Sequence, residues 1–176
     1  MRSGTFFKVV SLAEASLDLL DRIVFVANSA YRCLPKFAKS WTNEGHLIEG
    51  DRLNIDQLRA DLANESIRLI GAFGDDGLLV GSIEVTMVAP KRVSFGLFNV
   101  DPNFQSQNIG KGLLEEAEKV AKKDFDAEKI EMCVLAKRTE IIKFYERRGF
   151  SVVEGKLEKF PIGKGKERTA LFDPRD

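Results

Sequence analysis

Three consecutive segments between Val93 and Leu135 leave few folds open: a strand-like run "VSFGLFNV", an amphipathic stretch from Ile109 to Phe125, and a second strand-like run "KIEMCVL". The middle segment carries Ile109, Leu113, Ala117, Val120 and Ala121 on one stripe, the spacing of a helix with one buried face. A helix that long between two strands makes a crossover, so the flanking strands are expected to be parallel neighbours. The chain ahead of them reads differently. "SIRLIGAF", a turn at "GDDG", "LLVGSIEVTMV", a turn near "APKR" and then "VSFGLFNV" form a meander, whose strands run antiparallel. The fold class that follows is α/β (α+β), with a mixed, mostly antiparallel central sheet.

Within the meander, Ile83, Val85 and Met87 share a core-facing phase, and Ser82, Glu84 and Thr86 share the other, which is free to border a groove. The last strand breaks its own pattern: Val93, Phe95 and Leu97 alternate in one phase, while Phe98 and Val100 are apolar in the opposite one. Burial on both faces would produce this, and so would a β-bulge near Leu97 and Phe98. Both explanations stay open at this point.

The rest of the chain supplies flanking elements. "TFFKVV" is a first strand, Ala15 to Tyr31 a helix, and Ile55 to Ala63 a short helix after a long aperiodic loop. A last helix follows Thr139 as N-cap and stops at Gly149, with Phe150 as its apolar C-cap partner. "GFSVVEG" and "RTALF" close the sheet around a basic loop, "KFPIGKGKE". No linker, repeat or low-complexity tract interrupts the alternation, so residues 1–176 are expected to form one domain.

Charge and composition narrow the function. The 27 basic side chains are balanced by 27 acidic ones, which removes the broad positive field that general nucleic-acid binding needs. Cys33, Cys133 and the single histidine, His46, lack metal-ligand spacing, and no metal site is expected. The two cysteines fit reduced, mostly buried thiols in a cytoplasmic protein. No signal segment opens the sequence and no apolar run reaches membrane-spanning length, so no membrane partner is expected.

The stretch "DPNFQSQNIGKG" ahead of the crossover helix holds the strongest functional signal. Amide groups in the first turn of a helix have no intrahelical partner, and glycines allow close approach, so a phosphate is the natural guest. The nucleoside triphosphate loop does not fit, because Gly112 and not Ser or Thr follows Lys111, and no glycine stands five residues before Gly110. The dinucleotide fingerprint fails on glycine order. A glycine-containing helix entry without a ligand is the plain structural alternative.

Taken together, the strand with a phase break, "VDP", Gln107-x-x-Gly110-x-Gly112 opening a long helix, then a strand and a helix ending "FYERRGF" resemble the GNAT (N-acetyltransferase) superfamily. The resemblance runs from about Phe6 to Phe172 and is most specific between Phe98 and Phe150. It implies an acyl-CoA acyltransferase fold with helices on both sheet faces, and acetyl-CoA as co-substrate. On that pattern the backbone from Gln107 through Asn108, Ile109, Gly110, Lys111 and Gly112 to Leu113 holds the pyrophosphate. Phe98, Asn99 and Val100 pair with the pantetheine arm as a neighbouring strand would. Two positions depart from the family: Asn108 stands where glycine is common, a substitution that left-handed backbone angles tolerate, and Arg138 stands where many relatives have an asparagine.

The implied chemistry is transfer of acetyl to a primary amine. Tyr145 is the expected general acid, lying one turn after Ile141 on the sheet-facing side of its helix. Glu84 is the leading base; Glu44 and His46 are the alternatives. Tyr31, Trp41 and Glu44 are expected to line the acceptor wall. The acceptor is a small-molecule or protein amine, and a homodimer is compatible with the sequence. A non-catalytic acyl-CoA-binding regulator, a transferase of longer acyl groups and an interaction domain with an empty loop are the competing readings.

Overall fold

A computed structural model describes residues 4–32, 40, 43–45, 50–159 and 167–172. Cys33, Trp41, His46 and residues 163–166 of the basic loop lie outside the described residues, and Cys133, expected to be buried, is exposed because it points to the opposite side of its strand from the buried Met132. In chain order the elements are β1 (Phe6–Val10), α1 (Leu17–Arg32), α2 (Ile55–Ala63), β2 (Ile67–Phe73), β3 (Leu79–Ala89), β4 (Arg92–Val100), a short 3-10 turn at Pro102–Phe104, α3 (Ile109–Phe125), β5 (Lys129–Leu135), α4 (Thr139–Glu146), β6 (Ser151–Lys159) and β7 (Glu167–Phe172). The strands form one sheet in the order β1-β2-β3-β4-β5-β7-β6. Only β4 and β5, joined by the α3 crossover, pair in parallel. Neighbouring pairs elsewhere are antiparallel.

Two clusters of apolar side chains fix the layers. On one face, Leu20, Ile23, Val26 and Ala27 of α1 pack with Leu58 of α2 and with Leu69, Leu79 and Leu97 of the sheet. On the other, Ile109, Leu113, Ala117 and Val120 of α3 and Ile141 and Tyr145 of α4 cover Ile83, Val85, Val93, Phe95, Phe98 and Val100. Each fully buried large aliphatic side chain here contributes about 1.5–3 kcal/mol relative to exposure. Helices therefore cover both faces, as the family resemblance implies.

The phase break in β4 is a bulge. Between the pairs Ser82↔Asn99 and Glu84↔Gly96, β4 contains one residue more than β3, and Leu97 adopts a left-handed φ of 45°. That extra residue turns Leu97 to the α1 side and carries Phe98 and Val100 back to the side of Val93 and Phe95. Both apolar phases are thereby satisfied by one kink.

Helix boundaries follow local chemistry. α2 starts where the Asn54 side chain accepts the Gln57 amide at 2.8 Å, and α2 and α3 span the expected residues. At α4 the cap differs from expectation. Arg138 is the N-cap and Thr139 the first helical residue, because the Arg138 carbonyl accepts the Ile141 and Ile142 amides, both at 3.1 Å. Its other end behaves as expected, with Gly149 at φ 93° and Phe150 buried. Both faces of β3 depart from expectation: on the polar face Ser82 is buried, its hydroxyl accepting from the Asn99 amide at 2.9 Å, and in the core-facing phase Met87 is 39% exposed near the strand's far end.

Candidate active site

Parallel pairing of β4 and β5 begins at Arg92↔Lys129 and ends at Phe95↔Met132. Past that point the strands part, and two spaces open on either side of the gap. A groove of about 380 Å³ runs over Phe98, Asn99, Val100, Asn108, Ile109, Gly110 and Lys111, with Phe144, Arg147 and Arg148 of the α4 region opposite. A smaller cavity of about 90 Å³ is lined by Tyr31, Glu44, Arg52, Phe95, Leu97, Arg138 and Tyr145 among others. Phe98 borders both spaces and is the wall they share.

The groove has the features an anion site requires. Asp101 anchors its entrance: the Arg22 guanidinium donates to its carboxylate at 2.5 Å, and the same carboxylate accepts the Asn103 amide at 2.9 Å. Ser106 and Asn108 then take left-handed φ values of 67° and 62°, which turn the chain into α3; asparagine is among the few non-glycine residues suited to that conformation. The Gly112 amide is already used, donating to the Asn108 carbonyl at 3.1 Å. The preceding amides of Ile109, Gly110 and Lys111 start the helix without intrahelical acceptors. A Cβ on Gly110 would stand 3.2 Å from the Phe98 ring, so the missing side chain keeps backbone and groove wall close. The amide oxygen of Asn99 is buried without a partner among the described residues, leaving an acceptor open on a groove-lining residue.

Gln107, Gly112 and Leu113 do not line the groove. Gln107 is exposed, Leu113 is fully buried in the core, and a Cβ on Gly112 would strike the Phe7 ring at 2.3 Å. Gly112 is thus required by packing of α3 against β1. Arg147 and Arg148 were not among the expected site residues, although two adjacent arginines closing "FYERRGF" are a legible signal. Arg148 stacks on Phe144 at 3.5 Å, and burial next to Arg147 lowers its guanidinium below the ordinary arginine value.

In the cavity, helices from opposite sheet faces meet through the splay. Tyr31, near the end of α1, donates its hydroxyl to the Phe98 carbonyl at 2.7 Å and so pins the bulge. Tyr145 comes from α4 and is 6% exposed, with its ring edge-on to Phe144 and Phe150 at 5.3 and 5.8 Å. Burial pushes both phenols above the ordinary tyrosine range, the neighbouring Tyr31 adding to the shift at Tyr145. Glu44 is buried, and both its oxygens are engaged, by Arg32 at 2.7 Å and by Arg138 at 3.2 Å. Glu84 lies behind Gly96, outside the cavity lining, and accepts the Thr86 hydroxyl at 2.9 Å. Burial raises its carboxyl above the ordinary glutamate value, and the Thr86 bond pulls it partly back.

The Tyr31 bond yields a direct test. Tyr31→Phe leaves the buried Phe98 carbonyl without its donor, a loss of about 1–3 kcal/mol. A domain of this size should then melt a few degrees lower, at roughly 2–4 °C per kcal/mol. An unchanged melting temperature would show that the bond does not hold the bulge.

The sequence matches the model of the Acetyltransferase (GNAT) family over residues 30–150. The chain belongs to this family. Among known proteins it is 28% identical to the spermidine N(1)-acetyltransferase of Thermoplasma acidophilum over 149 residues, covering 81% of this chain and 89% of that protein. The PaiA N-acetyltransferase of Thermoplasma acidophilum, solved with coenzyme A, superposes with a TM-score of 0.65 at 20% identity over 95% of this chain and 98% of its own. The spermidine N-acetyltransferase of Vibrio cholerae, solved with coenzyme A and spermine, gives 0.68 at 16% identity over 96% and 94%. As a member of this family it is an acetyltransferase. Among the described residues no group of three His, Cys, Asp or Glu could hold a metal ion, and no helix is long and apolar enough to cross a membrane.

Proposed function

We propose that residues 1–176 act as one cytoplasmic domain that passes an acetyl group directly from acetyl-CoA to the primary amine of a small molecule. The observation that carries this reading is the shared wall at Phe98, where the anion-binding groove and the tyrosine-lined cavity meet across the splay. The free amides of Ile109, Gly110 and Lys111 would hold the pyrophosphate, helped by the helix dipole and by Arg147 and Arg148. The stretch Phe98, Asn99 and Val100, which β5 leaves uncovered beyond Phe95↔Met132, would take the pantetheine arm, which places the acetyl carbonyl at the cavity mouth. The cavity of about 90 Å³ has room for an acetyl group.

The proton movements follow from the titrating groups. Tyr145, held neutral by burial, keeps its proton for the thiolate that leaves when the C–S bond breaks. The attacking amine loses its proton to Glu84 through an intervening water, since Glu84 does not line the cavity. A small amine acceptor agrees with the polyamine relatives named above.

Thiol release from acetyl-CoA, followed across a panel of amines with mass detection of the acetylated product, tests the reading. Binding of coenzyme A without thiol release from any amine would leave a regulator in its place. The base assignment has its own pH signature. A carboxyl raised above its ordinary value of 4.5 accepts protons only above that raised value, so the acidic limb of kcat/KM should lie higher than an ordinary glutamate would set it. Glu84→Gln should lower kcat/KM by about ten-fold or more and erase that limb. A variant with the parental profile would move the base to solvent.

A further inference from the structure

Arg138 occupies the N-cap of α4 with its side chain only 10% exposed. One arm of its guanidinium, Nη1, donates to Glu44 Oε2 at 3.2 Å, while the other, Nη2, is buried and has no hydrogen-bond partner among the described residues. Glu44 does not reach Nη2: its Oε2 accepts from Nη1, and its Oε1 accepts from Arg32 at 2.7 Å. Arg52 adds another guanidinium to the same wall, 5.1 Å from the Tyr31 ring centre. Of the described residues lining the cavity, Arg52 and Arg138 are guanidiniums and Glu44 is a carboxylate; Arg32 pairs with Glu44 from outside the lining, and Glu84, behind Gly96, feels the charge of Asp61.

A buried guanidinium N–H without an acceptor is costly, and an anion that reaches it recovers that cost in a charge-assisted bond. A polycation meets the opposite situation, bringing like charge to the unpartnered arm of Arg138 and to Arg52. The phosphates of coenzyme A do not supply the anion, since their groove with Lys111, Arg147 and Arg148 lies beyond Phe98.

We propose that Arg138 makes the acceptor end of the cavity select an amine that also carries a carboxylate, as an amino acid does, over an amine bearing positive charge alone. This rests on the reading of the cavity as the place where the acceptor amine meets the acetyl group. It separates this chain from the polyamine chemistry in the names of its relatives. Arg138 would act as a specificity residue that binds the acceptor's carboxylate through Nη2 while Nη1 keeps Glu44.

Matched acceptors test it: lysine against 1,5-diaminopentane, methionine against 3-(methylthio)propylamine, and spermidine as the polycation. Binding of each to the coenzyme A complex is measured by calorimetry, and kcat and KM by thiol release. The carboxylate member of each pair should bind about ten- to hundred-fold more tightly, the range of one hydrogen bond to a charged group. Arg138→Met should abolish that preference by raising the acceptor KM, with the affinity for coenzyme A unchanged. Because this change also takes a partner from Glu44, Arg138→Lys serves as the folded control; it keeps a positive charge beside Glu44 but lacks the second arm, and should lose most of the preference.

Equal or tighter binding of the decarboxylated amines or spermidine would overturn the inference while leaving the transferase reading intact. So would a fall in kcat common to all acceptors in the Arg138 variants, which would place Nη2 on the thioester oxygen. Carboxylate preference that disappears with Arg138, but without thiol release from any member, would keep the anion site and remove the transferase reading.

Discussion

Replacing Tyr145 with phenylalanine should lower the turnover number by roughly ten- to ten-thousand-fold, the range for losing a positioned acid, while acetyl-CoA binds as before. The ring stays where it is, since its contacts with Phe98, Phe144 and Phe150 are made by carbon and not by the hydroxyl. Among the described residues no hydrogen bond holds that hydroxyl, so its removal leaves no orphaned partner and the melting temperature should change little. The sign of the pH effect is fixed by burial. A phenol raised above its ordinary value of 10.0 remains protonated throughout the neutral and mildly alkaline range, so the parental kcat should show no descending limb from this group up to about pH 10. Measurement requires single-turnover conditions, in which chemistry and not product release sets the rate. Parental turnover by Tyr145→Phe under those conditions would remove the phenol from the mechanism and leave water to protonate the thiolate.

Much of this architecture was written in local pattern. The bulge in β4 was one of two readings of the shifted alternation between Val93 and Val100, the other being burial on both faces, and only the register of β4 against β3 decides between them. The starts and ends of α2 and α3 were visible because capping and left-handed turns use short-range chemistry, at Asn54 and Asn108. What was not legible depends on approach between distant segments. Ser82 reads as a groove residue until Asn99 is placed opposite it and buries it. Gly112 reads as a phosphate glycine until the Phe7 ring of the edge strand is found against it. Arg138 reads as a lost asparagine, and only the folded chain brings Glu44 to one arm and leaves the other empty. The catalytic and acceptor roles of Tyr145, Glu84, Tyr31 and Glu44 therefore remain proposals carried by geometry, with Trp41 outside the described residues.

The two glycines of the loop should separate cleanly under mutation, and Gly110→Val should be the damaging one for the cofactor. Its Cβ would lie 3.2 Å from Phe98 Cζ and 3.9 Å from a Val100 methyl carbon, contacts that a small shift of the ring can relieve. The fold should consequently survive, with a loss within about 1–3 kcal/mol for modest overpacking. The branched side chain would nonetheless stand between the first-turn amides and the groove, where a diphosphate must approach the backbone. Losing two charge-assisted hydrogen bonds, each about 1.5–3 kcal/mol, weakens acetyl-CoA binding by more than a hundred-fold. Gly112→Ala makes the opposite pattern. Its methyl would sit 2.3 Å from the Phe7 ring on the side away from the groove, so it should lower the melting temperature and leave the affinity of the folded fraction near the parental value. Calorimetric titration of both variants with acetyl-CoA, alongside thermal unfolding without ligand, resolves the two effects. A folded Gly110→Val protein that binds acetyl-CoA as tightly as the parent would show that the phosphates do not sit on the start of α3, and the groove would need another guest.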